Sequence, residues 1–255
     1  MSSAKVSEVR QILGQSFFIG FKGLELPPSV AKFIQDNSIG GVTLFADNYA
    51  NPAQVAELIH SIQEAGRKSI LGRSLPMIIA VDHEGGKVQR FKKPFTHFPD
   101  ARTIGDHNSP KLAFACAEAM AKELASVGVN VTYAPVADIN TNPKNPVIGR
   151  RSFGENEDIV SKMVSAQVRG YVTNKVYPVL KHFPGHGDTS EDSHFHLPKV
   201  TTSLETLKER EFKTFTKGFK ARAEMVMTAH IIVEKVDPKL PATLSAKMLQ
   251  EILRT

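Results

Sequence analysis

Six short apolar runs, separated by stretches with helical spacing, limit what this 255-residue chain can fold into. The runs are Phe17 to Phe21, Gly41 to Phe45, Met77 to Val81, Val129 to Ala134, Pro178 to Leu180 and Met225 to Ala229. They are continuously apolar or β-branched rather than alternating. Strands read that way when both faces of their sheet are covered. Between them, Asn51-Pro52 opens a helical pattern through Val55, Leu58, Ile59 and Ile62. Ser109-Pro110 opens another that Gly128 ends, with proline at the start and glycine past the end. Thr202-Ser203-Leu204-Glu205 has capping-box spacing ahead of Leu207, Phe212, Phe215 and Phe219. Ser245 is placed to cap a last helix containing Met248, Leu249 and Ile252. Alternating βα units with right-handed crossovers build either an open doubly wound sheet or a closed (β/α)8 barrel.

The residues that follow the apolar runs separate those two outcomes. Asp82 follows the third run, Asp138 the fourth, Lys181 and His182 the fifth, and His230 the sixth. Polar groups after several successive strands point to a barrel, where all strand exits share one mouth. An open sheet concentrates its site at a switch point. Neither a dinucleotide fingerprint nor a Walker loop is present. The stretch Asp82 to Lys87 contains Gly-Gly-Lys without phosphate-loop spacing. The expected fold is α/β of the (β/α)8 TIM-barrel type, one domain over residues 1–255, with about six βα units. Two further units would take about 60–90 residues, so the barrel is expected to be truncated at its C-terminal end.

Bulk properties exclude several classes. The net charge of +6 comes from basic residues scattered along the chain, none in a run with interleaved aromatics. That pattern is a solvated surface rather than a nucleic-acid footprint. No apolar run reaches the length of a membrane span. The first ten residues are polar, without the apolar stretch of a signal peptide. The single cysteine, Cys116, allows no intrachain disulfide and fits a reducing compartment. It is expected to be a small buried hydrophobe on a helix. A cytoplasmic location is expected.

The segment from Lys181 to His194 is the chemically densest of the chain. It places three histidines and two aspartates within fourteen residues, broken by proline and glycine, after a buried strand. Titratable groups are costly at such a position unless they are used. His182, His186, Asp188, Asp192, His194 and His196 also have the chemistry to ligate zinc.

Six blocks together resemble glycoside hydrolase family 3, in its bacterial β-N-acetylglucosaminidase branch of the peptidoglycan-recycling type. They are Ile39 to Val42, Val81 to Arg90, Ala134 to Asp138, Asn145 to Gly154, Lys181 to His194 and Leu240 to Ser245. The resemblance implies hydrolysis of terminal non-reducing β-linked N-acetylglucosamine with retention. It implies His194 as acid/base catalyst, oriented by Asp192. It implies Asp82, Arg90, Arg151, Lys181 and His182 as sugar contacts, and no metal or other cofactor. Imidazole suits the role because it titrates near neutrality, and a carboxylate fixes its tautomer. His186 and Asp188 are expected to shape the loop, with Asp138 and His230 as further residues lining the site. Many relatives carry Gln in place of His83 and Arg in place of Lys87. The nucleophilic aspartate of a retaining glycosidase is expected on a seventh strand past Thr255, so this chain alone is expected to be inactive. Two alternatives stay open, a phosphorylase acting on the same glycosides and a non-catalytic sugar-binding remnant. A neutral imidazole repels incoming phosphate less than a carboxylate does. Muropeptide fragments or chitin-type oligomers are the expected partners, with no nucleic acid and no membrane span.

Overall fold

A computed structural model describes residues 9, 11–71, 75–192 and 195–254. In chain order the strands are β1 (Phe18–Ile19), β2 (Gly41–Leu44), β3 (Ile78–Val81), β4 (His83–Gly85), β5 (Val88–Gln89), β6 (Val131–Thr132), β7 (Tyr177–Phe183), β8 (Lys199–Val200), β9 (Met225–Thr228) and β10 (Ile232–Val233). The helices are α1 (Pro28–Asn37), α2 (Pro52–Arg67), α3 (Ala101–Asp106), α4 (Pro110–Ser126), α5 (Glu157–Thr173), α6 (Leu204–Glu209) and α7 (Glu211–Lys220). The described residues fall into two compact units.

The first unit holds the chain up to His83, residues 89–97 and residues 122–132. Its β1, β2, β3 and β6 lie side by side in that order, all parallel, with Phe18 opposite Gly41, Gly41 opposite Ile78 and Ala80 opposite Val131. Val42, Leu44, Ile79, Ala80 and Val81 are buried with Val55, Leu58 and Ile62 of α2. The burial of successive residues explains the continuous apolar runs. Asn51 caps α2 by accepting the Gln54 N–H at 3.0 Å, with Pro52 in the first turn as expected. Side chains clamp the start of β3. Gln63 bonds both backbone groups of Met77, and Asn130 accepts from Ile79 N–H and donates to Met77 O.

The second unit holds residues 84–88, 98–121 and the chain from Tyr133 onward. Here β7 pairs in parallel with β9, and β8 with β10. Helices α5 and α7 pack together, and the core includes Val160, Met163, Val164, Leu180, Phe183 and Phe215. Ser203, not Thr202, caps α6, accepting the Thr206 N–H at 3.2 Å. Thr202 donates to Asp188 instead. The expected helix through Phe219 is two helices, broken at Arg210. Ser245 does accept the Met248 N–H at 3.2 Å, but Lys247–Ile252 form a π-type turn rather than an α-helix. Cys116 is half-buried rather than fully buried, and burial pushes its thiol up. Helices α1 and α5 and the β8–β10 pair had no counterpart in the sequence reading. No helix among the described residues is long and apolar enough to cross a membrane.

Candidate active site

In the first unit, Asp82 follows β3 and Arg90 follows β5. The Arg90 Nη2 lies 3.5 Å from Asp82 Oδ2, and the Arg90 N–H donates to Asp82 O at 3.3 Å. Both side chains are part-exposed, so the pair keeps charge available to a ligand. Arg90 also lines a cleft of about 540 Å³ with Gly20, Phe21, Lys22, Phe45 and Asp47. His83, the next residue after Asp82, is fully buried against Phe91 and Phe95. Neither of its ring nitrogens has a hydrogen-bond partner among the described residues. Burial lowers its pKa to about 4, so the ring is neutral at pH 7.

In the second unit, Glu84 gathers two cations. Arg151 grips it bidentately, Nε to Oε2 at 2.9 Å and Nη2 to Oε1 at 2.8 Å. Lys181 Nζ reaches Oε1 at 2.7 Å. Lys181 is 1% exposed; a buried ammonium is tolerable only with such a partner. Burial alone would raise the Glu84 carboxyl, but Lys181 and Arg151 outweigh it and hold the group below its ordinary range. The trio carries a net positive charge and can present donors to a hydroxylated or anionic ligand.

Asp138 does the same for the next residue. It is fully buried and accepts His182 Nδ1 at 2.7 Å, the His182 N–H at 3.2 Å and the His186 N–H at 2.7 Å. Burial would raise its carboxyl, and the His182 ring together with the His186 N–H holds it low. Burial lowers the His182 pKa against the pull of Asp138. A neutral ring donating from Nδ1 to an ionised Asp138 fits both directions and leaves Nε2 as an acceptor. The β7–β9 register supplies the local geometry. Lys181 faces Met227 and Phe183 faces Thr228, so His182 is the extra residue of a bulge. Bulges re-aim side chains beside active sites.

The loop after β7 is held from below. Asn145 donates to His186 O at 2.8 Å and to Thr189 Oγ1 at 3.2 Å, and Asn142 donates to Thr189 O at 3.0 Å. His186 is buried, with Nδ1 2.8 Å from Thr189 Oγ1. The loop runs to Asp192, which is half-buried and lines a cleft of about 390 Å³ with Glu84, Lys87, Asp100, Arg150 and Arg151. Arg150, the neighbour of Arg151, turns to Asp100 at 2.7 Å instead of Glu84. His194 lies outside the described residues. Among those that are described, no three His, Cys, Asp or Glu side chains gather as metal ligands do. His230 is exposed and bonds Thr243. The structure thus brings together Arg151, Lys181, His182 and Asp192 in one unit and pairs Asp82 with Arg90 in the other. It adds Glu84 as the organiser of Arg151 and Lys181, a role the sequence reading did not assign.

Comparison with known proteins bears on what such an arrangement belongs to. The chain is 39% identical over 246 residues to beta-hexosaminidase A of Pseudoalteromonas piscicida, covering 90% of this chain and 41% of that protein. It is 36% identical over 242 residues to a beta-hexosaminidase of Xylella fastidiosa strain M23, covering 92% and 69%. Its fold matches the glycoside hydrolase family 3 beta-N-acetylglucosaminidase of Paenibacillus sp. str. FPU-7 with a TM-score of 0.92 at 39% identity, over 96% of this chain and 46% of that one. NagZ of Neisseria gonorrhoeae in complex with N-trifluoroacetyl-D-glucosamine matches with a TM-score of 0.85 at 31% identity, over 93% and 69%. The chain therefore spans less than half of the first relative and of the first structure. The architecture is the expected TIM-barrel-like α/β fold, with about six βα units in this chain. Residues 4–255 match the Glycosyl hydrolase family 3 N terminal domain, and the chain belongs to glycoside hydrolase family 3.

Proposed function

We propose that the protein removes terminal non-reducing β-linked N-acetylglucosamine with retention of configuration. The observation that carries this reading is the pair of adjacent residues Lys181 and His182, each held by its own buried carboxylate, Glu84 and Asp138. A sugar needs fixed, directional donors and acceptors in a shielded pocket. Within the second unit, Lys181 and Arg151 supply cationic donors and the Nε2 of neutral His182 accepts a hydrogen bond from a sugar hydroxyl; Asp82 and Arg90, in the first unit, are sugar contacts on the family resemblance. In this reading a carboxylate nucleophile forms a bond to the anomeric carbon while His194 protonates the leaving oxygen and the glycosidic C–O bond breaks. The imidazole then takes a proton from the water that attacks the anomeric carbon, and the glycosyl–carboxylate bond breaks to free the nucleophile. Asp192 fixes the tautomer of the imidazole and stabilises the imidazolium.

The relatives' names support the reaction class, since they are described as hexosaminidases. The finer reading is that peptidoglycan-derived fragments, met in the cytoplasm during cell-wall recycling, are the physiological substrates. Hydrolysis of an aryl β-N-acetylglucosaminide by the complete protein tests the reaction. His194→Ala is expected to lower kcat by about 10²–10⁴, the usual worth of a positioned acid/base. Wild-type turnover in that variant would overturn the assignment. Comparing a muropeptide-type disaccharide with chitobiose tests the substrate; equal kcat/KM on both would remove the recycling reading.

A further inference from the structure

We propose that Arg210, held by Glu211 at the start of α7, is a positioning residue that sets the loop of residues 184–192, and with it Asp192, for proton transfer. The proposal rests on the acid/base reading above and goes beyond it by naming what holds the loop in place. Residues 184–192 contain a proline and two glycines, so little in their own sequence keeps them in one conformation. The order comes from outside the loop. Gly185 turns with φ +130°, and a Cβ there would sit 2.6 Å from Glu211 Cγ. The first turn of the loop therefore lies directly on the Glu211 side chain, which is 3% exposed.

Three residues further on, Asp188 takes two hydrogen bonds and an ion-pair contact from three separate segments. Thr141 Oγ1 donates at 3.2 Å and Thr202 Oγ1 at 2.8 Å, and Arg210 Nη2 stands 3.8 Å away. Arg210 is itself fixed, with Nε and Nη2 each 2.6 Å from Glu211 Oε1. One guanidinium thus spans the buried acid under the start of the loop and the acid at its middle. The same helix is anchored to the other half of the site. Thr214 Oγ1 donates to Ala137 O at 2.7 Å, and the next residue, Asp138, holds His182 and the His186 N–H. Helix α7 therefore sets strand exit and loop in one frame. A group that must meet a reacting atom within a fraction of an ångström needs such a frame.

Leaving-group chemistry separates this role from general stability. Phenoxide is a poor leaving group and needs the proton, whereas 2,4-dinitrophenoxide departs without it. In the complete protein, Arg210→Ala is expected to lower kcat/KM about tenfold on phenyl β-N-acetylglucosaminide and less than about twofold on the dinitrophenyl glycoside. Arg210→Lys is expected to recover most of the loss by keeping the charge. Equal losses on both glycosides, or no loss on either, would overturn the proposal. If Arg210→Ala does not fold, Asp188→Asn serves the same test, because that carboxylate is partly solvated and its loss leaves the core intact. His194→Ala in parallel separates the two readings. If it lacks leaving-group dependence, the acid/base reading fails. If it shows the dependence and the Arg210 and Asp188 variants do not, only the positioning role fails.

Discussion

Asp138 takes two hydrogen bonds from His182, one from the ring Nδ1 at 2.7 Å and one from the backbone N–H at 3.2 Å. The side chain and main chain of one residue are thus fixed by a single buried carboxylate. A third N–H, from His186, completes its shell. The ring cannot rotate away without breaking its bond to this buried acid, so the Nε2 edge is pre-oriented.

That arrangement predicts a specific loss on mutation. Asp138→Ala leaves three donors without their acceptor, and an unsatisfied buried donor costs about 1–3 kcal/mol. The pH dependence has a definite sign. The Asp138 pKa is held below its ordinary 3.8 in the folded protein. Its contribution is therefore complete above pH 3.8 and fades as pH falls through the lower folded value. Urea unfolding at pH 7 and pH 3 checks both points. The gap between wild type and Asp138→Ala is expected to be large at neutral pH and narrower in acid.

His83 makes the opposite kind of contribution. Its ring is buried, without hydrogen-bond partners among the described residues, and its pKa falls from 6.5 to about 4. The unfolded chain therefore takes up its proton first as pH drops. Stability is lost between pH 6.5 and 4, by about 3 kcal/mol at the bottom of that window. His83→Leu fills the same aromatic nest with Phe91 and Phe95 without a titrating group. Its unfolding free energy is expected to decline less than that of wild type from pH 6.5 to 4, and parallel curves would remove the assignment.

The parts of this molecule visible in the sequence are those where local cost is high. Lys181 and His182 stand at the end of a buried strand, where unpaired charge is expensive, so a use for them was legible before any partner was known. Asp138 stood out for the same reason. Glu84 did not, because its partner Arg151 lies 67 positions away and no local pattern links them. Helix α5 was also hidden. Val160, Val164, Val168 and Val172 give it a β-branched stripe that reads poorly as helix. Packing settles it, with Gly170 close against Phe114 O and Ala117 of α4. The break at Arg210 was equally silent, since the apolar spacing continues across it from Leu207 to Phe212 and Phe215.

Glu84 yields a prediction about charge balance. Replacing it with alanine removes the carboxylate that the two cations share, one of them the buried Lys181, at a cost of about 3–5 kcal/mol. Lys181→Met removes one cation and keeps the Arg151–Glu84 pair bidentate, so its cost is expected to be smaller. A double-mutant cycle on Glu84 and Arg151, read by denaturant midpoints, is expected to be non-additive by at least about 1 kcal/mol because the two share one network. Additive effects would show that the guanidinium finds another partner.

Gly187 gives the most local test of the loop. A Cβ on that residue would lie 1.7 Å from Ile139 O, a distance no rotamer change relieves because both atoms belong to backbones. Gly187 O also accepts the Asn142 N–H at 3.1 Å, so the strand-exit segment and the loop touch on both sides of this residue. Gly187→Ala must push them apart. Forcing one extra carbon into a close-packed site costs about 1–3 kcal/mol, and here the loop that leads to Asp192 or the segment at Ile139 must give way. The expected outcome is a folded protein with a modestly lowered unfolding midpoint and a kcat reduced by more than that stability change implies, about tenfold or more for an ångström of misplacement. Circular dichroism melts beside steady-state kinetics check it. A variant with wild-type kcat would show that the loop reaches its working position without this contact.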